Sequence, residues 1–239
     1  GLDRHLDLVL KLTAVAVGAF WLTGFRVRLP RPVRDAVLFS AALVIFLLPL
    51  IHDWSATPAE PSTIAKLLPD ADAQNYYSGA ARLLITGETD AWNTRRPLNV
   101  TLLAVRLALV GGDFRLSLLL QTLLLASACY LLAAVVARDA GLPAGLLMFA
   151  VCYDLGEHWV SVALSESLGM TFGVLAAAVM WWSVRKRRLR LAACGSFLMT
   201  LALSARAGAM LVLPALVLWG LFGRLRDDRR VDCRAAFVI

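Results

Sequence analysis

The chain has 239 residues, of which 59% are hydrophobic and 17% charged, and its mean hydropathy is +0.71. A soluble domain of this size usually has about 45–50% apolar residues and about 25% charged ones. The apolar residues are clustered in runs of roughly bilayer-spanning length. A soluble α-protein with one large core does not need apolar runs of that length. The composition therefore favours a polytopic helical membrane protein over a soluble one.

The net charge of +7 and the isoelectric point near 9.7 raise the question of a nucleic-acid partner. The basic residues, however, form short clusters beside the ends of the apolar runs, at 26–34, 185–190 and 224–230. This placement is typical of the positive-inside rule and of contact with anionic headgroups. There is no basic strand with interleaved aromatic residues and no recognition helix, so we expect the lipid bilayer, and no nucleic acid, as the partner.

Seven apolar runs predict membrane spans, at 7–25, 36–51, 115–137, 142–156, 163–183, 190–205 and 207–223. If the arginine-rich links are cytoplasmic, every strongly basic link lies on one side and residues 52–114 form an extracytoplasmic loop. The prediction is an all-α fold with about seven transmembrane helices in a single module, residues 1–239. Because the chain starts without a methionine and ends in a further apolar run, we expect it to be a fragment of a longer protein, with the C-terminal remainder missing.

Two helices are predicted inside the loop, at 70–86 and 98–111. The second is apolar, but it is short and contains Arg106, and counting it as a span would place the basic cluster 185–190 outside. We therefore interpret both as amphipathic helices on the outer surface. In the first helix, four residues follow helical spacing, namely Asp72, Tyr76, Gly79 and Leu83, and the apolar residues 83–85 thicken one side.

The order of these features carries a family resemblance. The loop has an Asp-x-x-x-Tyr-x-x-x-Ala pattern at the head of its first helix, then Arg-Pro before the second, followed by spans with short links. The matching residues are Asp72, Tyr76, Ala80, Arg96, Pro97, Glu166 in "LSESLG" and Arg206 in "LSARAGAM". Over roughly residues 36–223 this resembles the GT-C fold integral-membrane glycosyltransferases, which include protein mannosyltransferases and lipid A aminoarabinose transferases.

The resemblance implies transfer of a sugar from a polyprenyl-phosphate donor to a hydroxyl of a glycan, lipid or protein, on the extracytoplasmic face of a cell membrane. It places the catalytic base at Asp72, since an inverting transfer needs a carboxylate to take the acceptor proton. The leaving lipid phosphate needs cationic stabilisation, for which guanidinium groups are well suited. The expected substrate-binding residues are Asp70, Tyr76, Arg95, Arg96, Glu166 and Arg206.

The cofactor is left open, with a divalent cation such as Mg²⁺ or Mn²⁺ as the candidate. The residues that would contribute ligands are Asp72, Glu157, His158 and Glu166, but no complete ligand set is present in the sequence. The four cysteines have no metal-ligand spacing, and three of them lie in apolar runs.

Each assignment has a structural alternative. Asp70 would cap the first loop helix, and Asp72 would interact favourably with the dipole of that helix. Tyr76 and Tyr77 would be aromatic residues at the membrane interface, and Arg206 would anchor the chain there. Glu166 would form a local hydrogen bond with Ser165 or Ser167.

Two alternative functions stay open, a transporter and a scaffold. A transporter or flippase would bind an anionic or lipid-linked substrate through Asp72, Glu166 and Arg206. Carriers, however, usually place their polar site near the midplane, whereas these charges gather at one face. A non-catalytic membrane scaffold would not need to gather ionisable groups on one side.

Overall fold

The computed structural model describes residues 30–55 and 72–205, and every regular element in these two segments is a helix. The α-helices are α1 (Arg31–Ser55), α2 (Asp72–Thr86), α3 (Pro97–Leu109), α4 (Phe114–Ala140), α5 (Leu142–Gly156), α6 (Ser165–Lys186) and α7 (Leu189–Ser204). Two single 3₁₀ turns, Asn93–Arg95 and Glu157–Trp159, interrupt the links. The all-α prediction is confirmed for these residues, and the runs at 7–25 and 207–223 lie outside them.

Three helices in the described segments are long and apolar enough to cross a membrane, namely Pro32–Trp54, Phe114–Ala140 and Ser165–Lys186. Helices α5 and α7 coincide with two further predicted spans, but they have only 15 and 16 residues. Their length is about 22–24 Å, less than the roughly 30 Å of a hydrocarbon core. The structure therefore supports a membrane protein with three candidate spanning helices.

The long helix α4 is the centre of the bundle and contacts α1, α3, α5 and α6, while α6 pairs with α7. Against α1, the hydroxyl of Tyr130 donates to the backbone oxygen of Asp35 over 2.9 Å. The buried ring of Phe46 on α1 also packs edge-on against Tyr153 of α5, with ring centroids 5.2 Å apart. Aromatic and aliphatic side chains thus form one continuous core between these helices.

One end of the bundle, here called the basic end, gathers three helix termini. Asp35 in the first turns of α1 lies 3.8 Å from Arg138 near the end of α4. The next residue of α4, Asp139, pairs with Arg185 of α6 at 2.8 Å and accepts a hydrogen bond from Trp181 at 2.6 Å. Within the described residues, the start of α1 and the ends of α4 and α6, next to which the sequence has basic residues, therefore lie close together.

The opposite end, here called the loop end, holds α2, α3 and the link between α5 and α6. The rings of Tyr77 on α2 and Phe114 at the start of α4 stack edge-on at 4.9 Å. Two turns further along α4, the Gln121 amide donates to the backbone oxygen of Val162 in the α5–α6 link at 3.2 Å. The Thr122 hydroxyl, which donates to Leu118 of its own helix at 2.9 Å, lies 3.4 Å from the backbone oxygen of Val160. These contacts fix the link against α4 beneath the two loop helices.

The two loop helices differ from simple amphipathic surface helices. In α2 the buried face is made by Ala73, Tyr76, Gly79 and Ala80, whereas Leu84 and Ile85, expected to thicken an apolar side, are exposed. Helix α3 packs against both α2 and α4, and six of its 13 residues are buried. At about 20 Å it is too short to span a bilayer, as predicted, but it is part of the core and not a peripheral element.

Candidate functional site

Three of the predicted site residues meet at the N-terminal turn of α2. The Nη1 of Arg96 lies 3.2 Å from Oδ2 of Asp72 and 2.6 Å from the hydroxyl of Tyr76. Asp72 and Tyr76 are one helical turn apart, so both project toward the arginine from the same face. We call these three residues the Asp72 cluster.

Aromatic rings enclose the guanidinium of the cluster. Its Cζ lies 6.0 Å from the ring centroid of Tyr76 and 5.6 Å from that of Trp92, and the two rings are 5.0 Å apart. The tyrosine is fully buried. The hydrogen bond and the charge of Tyr76, and after them the hydrogen bond and the charge of Asp72, raise the pKa of Arg96 above its ordinary value, so the cluster contains a permanent cation.

A reversal of the chain brings Arg96 back to the start of α2. The Asn93 amide nitrogen Nδ2 donates to the backbone oxygen of Asn75 at 3.1 Å and to Asp90 Oδ2 at 2.8 Å. The backbone nitrogen of Asn93 donates to the other oxygen of Asp90 at 2.7 Å, and these two bonds lower the pKa of that carboxyl. Asn93 also lies against Gly79, where any Cβ would overlap its amide group. We call these contacts the Asn93 clamp.

The clamp determines where Arg96 stands. The backbone nitrogen of Arg96 donates to the backbone oxygen of Asn93 at 3.0 Å, and Pro97 then begins α3 with its ring at the first helical position. Because Asn93 is fully buried against the middle of α2, the arginine three residues later is directed at the helix start. The ten-residue link between α2 and α3, residues 87–96, thus folds back along α2, and its last residue contacts the first turns of that helix.

The Asp72 cluster is open on one side. The side chain of Asp72 is 48% exposed and that of Arg96 is 28% exposed, whereas Tyr76 and Asn93 behind them are fully buried. The buried Tyr76 therefore holds Arg96, which in turn holds Asp72, and both charged groups remain accessible to a molecule at the loop end.

The other predicted site residues are not part of this cluster. Arg95 is exposed and contacts neither acid nor phenol of the cluster. Glu166 lies in the first turn of α6 and accepts a hydrogen bond from Ser165 at 3.1 Å, which is the local bond that its structural alternative predicts. Asp70 and Arg206 lie outside the described residues.

The weak metal candidates also remain dispersed. Glu157 is buried and lies 3.9 Å from His158, whose side chain is 71% exposed. Within residues 30–55 and 72–205, no group of three or more His, Cys, Asp or Glu residues is placed to hold a metal ion. The four candidates therefore do not form a protein metal site in this part of the chain.

Sequence reasoning missed the residues that support the cluster, namely Gly79, Asp90, Trp92 and Asn93. The sequence assigns no role to residues 87–94 beyond linking the two predicted loop helices. An available signal was Asp90 three residues before Asn93, since a carboxylate at that spacing accepts backbone hydrogen bonds and stabilises a turn. The contact of Asn93 with Gly79 spans 14 positions and has no local signature.

Comparison with known proteins found no match to this chain among protein-family models, curated proteins or solved structures.

Proposed function

We propose that the chain is the membrane-embedded part of a glycosyltransferase that moves a sugar from a polyprenyl-phosphate donor to an acceptor hydroxyl. The observation that supports it most is the meeting of Asp72, Tyr76 and Arg96. All three residues are among those that the resemblance to the GT-C family implies for the site. A carboxylate beside a guanidinium, both accessible, suits a reaction that needs a base for the acceptor and a cation for a phosphate leaving group.

The proposed setting is a multi-pass protein of about seven spans in a cell membrane, with the loop end on the extracytoplasmic side. The gathering of basic links at the opposite end supports this orientation. A polyprenyl-phosphate sugar would then lie with its chain in the bilayer and its phosphate level with α2 and α3. The glycan, lipid or protein acceptor would approach from outside.

Asp72 is proposed as the base. Its contact with Arg96 uses Oδ2, so Oδ1 is the oxygen assigned to the acceptor. As the acceptor oxygen bonds to the anomeric carbon, its proton passes to Oδ1 of Asp72. The bond between the anomeric carbon and the phosphate oxygen breaks, and the electron pair leaves with the lipid phosphate.

Arg96 is proposed to have two roles. A guanidinium carries five N–H groups, of which two belong to Nη1, the atom that meets both Asp72 and Tyr76. The three remaining N–H groups, on Nη2 and Nε, would face the donor phosphate and stabilise the charge that it gains. One side chain would thereby hold the base and the leaving group at a constant separation.

The first prediction concerns Asp72→Asn in the full-length protein reconstituted in liposomes. Polyprenyl-phosphate hexose and pentose donors are offered with a glycan, a lipid and a peptide acceptor, and release of polyprenyl phosphate is measured with product formation. We expect the substitution to lower kcat by about 100-fold or more, because a general base contributes about 10²–10⁴-fold. Binding of the donor should change little.

Asp113→Asn is the matched control. Asp113 also precedes a helix at the loop end, where its carboxylate accepts from the backbone nitrogen of Leu116 at 3.1 Å, and asparagine caps helices equally well. The control should keep full activity. If the wild-type protein moves the intact donor lipid across the liposome without sugar transfer, the transporter or flippase interpretation replaces the proposed one.

A further inference from the structure

Helix α3 has its polarity reversed relative to a helix that lies between a protein and water. Its exposed face carries the apolar side chains of Val105 and Leu109, which are 48% and 74% exposed. Its two most polar side chains, Asn99 and Arg106, are buried at 2% and 6% exposure. They are seven residues apart and so lie on one face, two turns from each other. A helix with an apolar outside and a charged inside is typical of a lipid-facing element that borders an internal polar space.

Arg106 is a buried charge without a described partner. The structure gives its guanidinium no ion pair or hydrogen bond within residues 30–55 and 72–205, and its buried Nε has no hydrogen-bond partner there. Burial lowers the pKa of Arg106 to about 10, so the group stays charged at neutral pH. Its position in the last turn of α3 provides a favourable helix dipole, but a partial dipole does not compensate a buried unit charge.

Further buried polar atoms on α3 and α4 are also unsatisfied. The Nδ2 of Asn99, the Oγ of Ser117 and the Oε1 of Gln121 are buried without hydrogen-bond partners in the described segments. Ser117 lies in the first turn of α4, and the turn at 110–113 joins it to the last turn of α3. Two buried donors without a described acceptor, the guanidinium of Arg106 and the hydroxyl of Ser117, therefore flank one short turn, while the Asn99 amide lies two helical turns from Arg106 along α3.

We propose that Arg106 is the central residue of an anion site between α3 and the first turns of α4, which binds the phosphate group of a lipid. A guanidinium binds phosphate through two parallel hydrogen bonds, and a hydroxyl donor such as that of Ser117 adds to such a site. The lipid source follows from the apolar outer face of α3, because an element that contacts hydrocarbon on one side meets headgroup phosphates at its boundary. The choice of a polyprenyl phosphate as probe rests on the proposed function, whereas the anion site rests on Arg106 itself.

The test uses the full-length protein in a maltoside detergent that contains no phosphate, with decaprenyl monophosphate as the probe. Decaprenol and inorganic phosphate at the same concentrations separate the contribution of the chain from that of the anion. Binding is measured by native mass spectrometry and by the shift in Tm. We expect Arg106→Gln to weaken decaprenyl monophosphate binding about tenfold or more, and Arg106→Lys to weaken it less, because lysine keeps the charge without the planar fork. Arg115→Gln, which removes an exposed charge from the first turn of α4, should bind as the wild type does.

The ligand-free Tm gives an independent test. Removal of a buried, uncompensated charge should leave the Tm of Arg106→Met equal to or above that of the wild type. A lower Tm would show that an acid elsewhere in the chain pairs with Arg106, and would overturn the proposal. Unchanged probe binding in Arg106→Gln, no binding by the wild type, or equal binding of inorganic phosphate would overturn it as well. If the probe binds through Arg106 but no sugar is transferred, the proposed function is wrong and the anion site stands. If sugar is transferred equally well by Arg106→Gln, the proposed function stands and the anion site is wrong.

Discussion

A single nitrogen atom joins the acid and the phenol of the candidate site. Nη1 of Arg96 contacts both Asp72 and Tyr76, so the position of the arginine depends on the tyrosine as well as on the acid. The phenol is fully buried and its 2.6 Å bond has the length of a strong charge-assisted contact. Tyr76 therefore serves as the positioning residue of the pair.

The second prediction is that Tyr76→Phe destabilises the protein by about 1 kcal/mol. A hydrogen bond to a charged group contributes about 1.5–3 kcal/mol, and the partial exposure of Arg96 reduces this through solvent screening. The expected fall in Tm is about 2–4 °C for a chain of this size. The proposed function adds a fall in transfer rate for the same variant, because Arg96 loses one of its two anchors.

Tyr77→Phe is the control for this prediction. The Tyr77 ring packs on Phe114, and its hydroxyl is not part of the Asp72 cluster. The free energy of unfolding of Tyr77→Phe should therefore stay within about 0.5 kcal/mol of the wild-type value. Equal losses in the two variants would show that the Tyr76 hydroxyl contributes nothing specific.

The residues of the cluster were predictable, but their pairing was not. The family resemblance, which rests partly on the spacing of Asp72 and Tyr76 and on the Arg-Pro pair, implied all three as site residues. The sequence analysis assigned Arg96 to the donor phosphate, whereas the structure pairs it with the acid. That pairing depends on the reversal of the link at 87–96, and the reversal depends on Asn93 against Gly79, a contact that leaves no periodic pattern.

Among the elements, α2 and the link that follows it behave as one unit. The Asn93 clamp bonds the link to Asp90 and to the backbone of α2, and Gly79 supplies the space for it. A side chain on α2 at this point would displace the link and, with it, Arg96. The geometry of the site is thus determined by a residue that carries no functional group.

The third prediction is therefore that Gly79→Ala disrupts the site from a distance. The added methyl group would overlap the Asn93 amide, and overpacking of this kind costs about 1–3 kcal/mol. We expect a lower Tm and faster hydrogen exchange in residues 87–96, measured by mass spectrometry. The matched control is Gly173→Ala in α6, where the nearest atom outside the local backbone is the Cβ of Ala202 at 3.8 Å. That methyl group fits, and alanine favours the helix, so the control should be neutral or stabilising.

A different outcome for this pair would be informative. If Gly79→Ala left the exchange of the link unchanged, the clamp would not determine the link conformation, and Arg96 would be held by Tyr76 and Asp72 alone.

The predicted runs come within three residues of the bounds of α4, α5, α6 and α7, whereas the run at 36–51 falls short of α1 at both ends. Local chemistry defines the ends of α4 and α6. Asp113 caps the start of α4 with a side-chain bond to Leu116, Gly141 ends it in a conformation with φ of 89°, and Arg187 ends α6 in the left-handed region. The buried face of α3 was not predictable. Hydropathy separates apolar from polar residues, but it does not distinguish a face that meets lipid from one that meets the protein core, so Arg106 was expected on the surface.

At the scale of the whole molecule, the two ends of the bundle differ in chemistry. The basic end has ion pairs that join α1, α4 and α6, and the loop end has the Asp72 cluster, α3 and the α5–α6 link. This separation agrees with the expected threading, in which successive spans return the chain to one basic side. The outermost runs, at 7–25 and 207–223, lie outside the described residues, so the count of seven spans stays a prediction.

The fourth prediction is that the loop end faces outward and the basic end faces the cytoplasm. Single cysteines are placed at two exposed positions, Ala91→Cys at the loop end and Lys186→Cys at the basic end, in a background with Cys194 and Cys233 replaced by serine. A membrane-impermeant thiol reagent added to intact cells should label only the cysteine at 91, and should label both after permeabilisation. Labelling of only the cysteine at 186 from outside would invert the orientation, and labelling of both in intact cells would contradict the threading.

The unequal lengths of neighbouring helices have a consequence for the membrane itself. Helix α4 has 27 residues. Thr122 lies at the level of Val160 in the α5–α6 link, and the N-terminal end of α4 extends about 12 Å past that level. On that side the 15-residue α5 presents a wall of only about 22 Å to the acyl chains. A bilayer with a hydrocarbon core of about 30 Å adapts to such hydrophobic mismatch by thinning beside the short helix. Lipid headgroups of one leaflet would then lie closer to the midplane next to α5 than elsewhere. The bilayer around the protein would therefore be thinner on the side of α5.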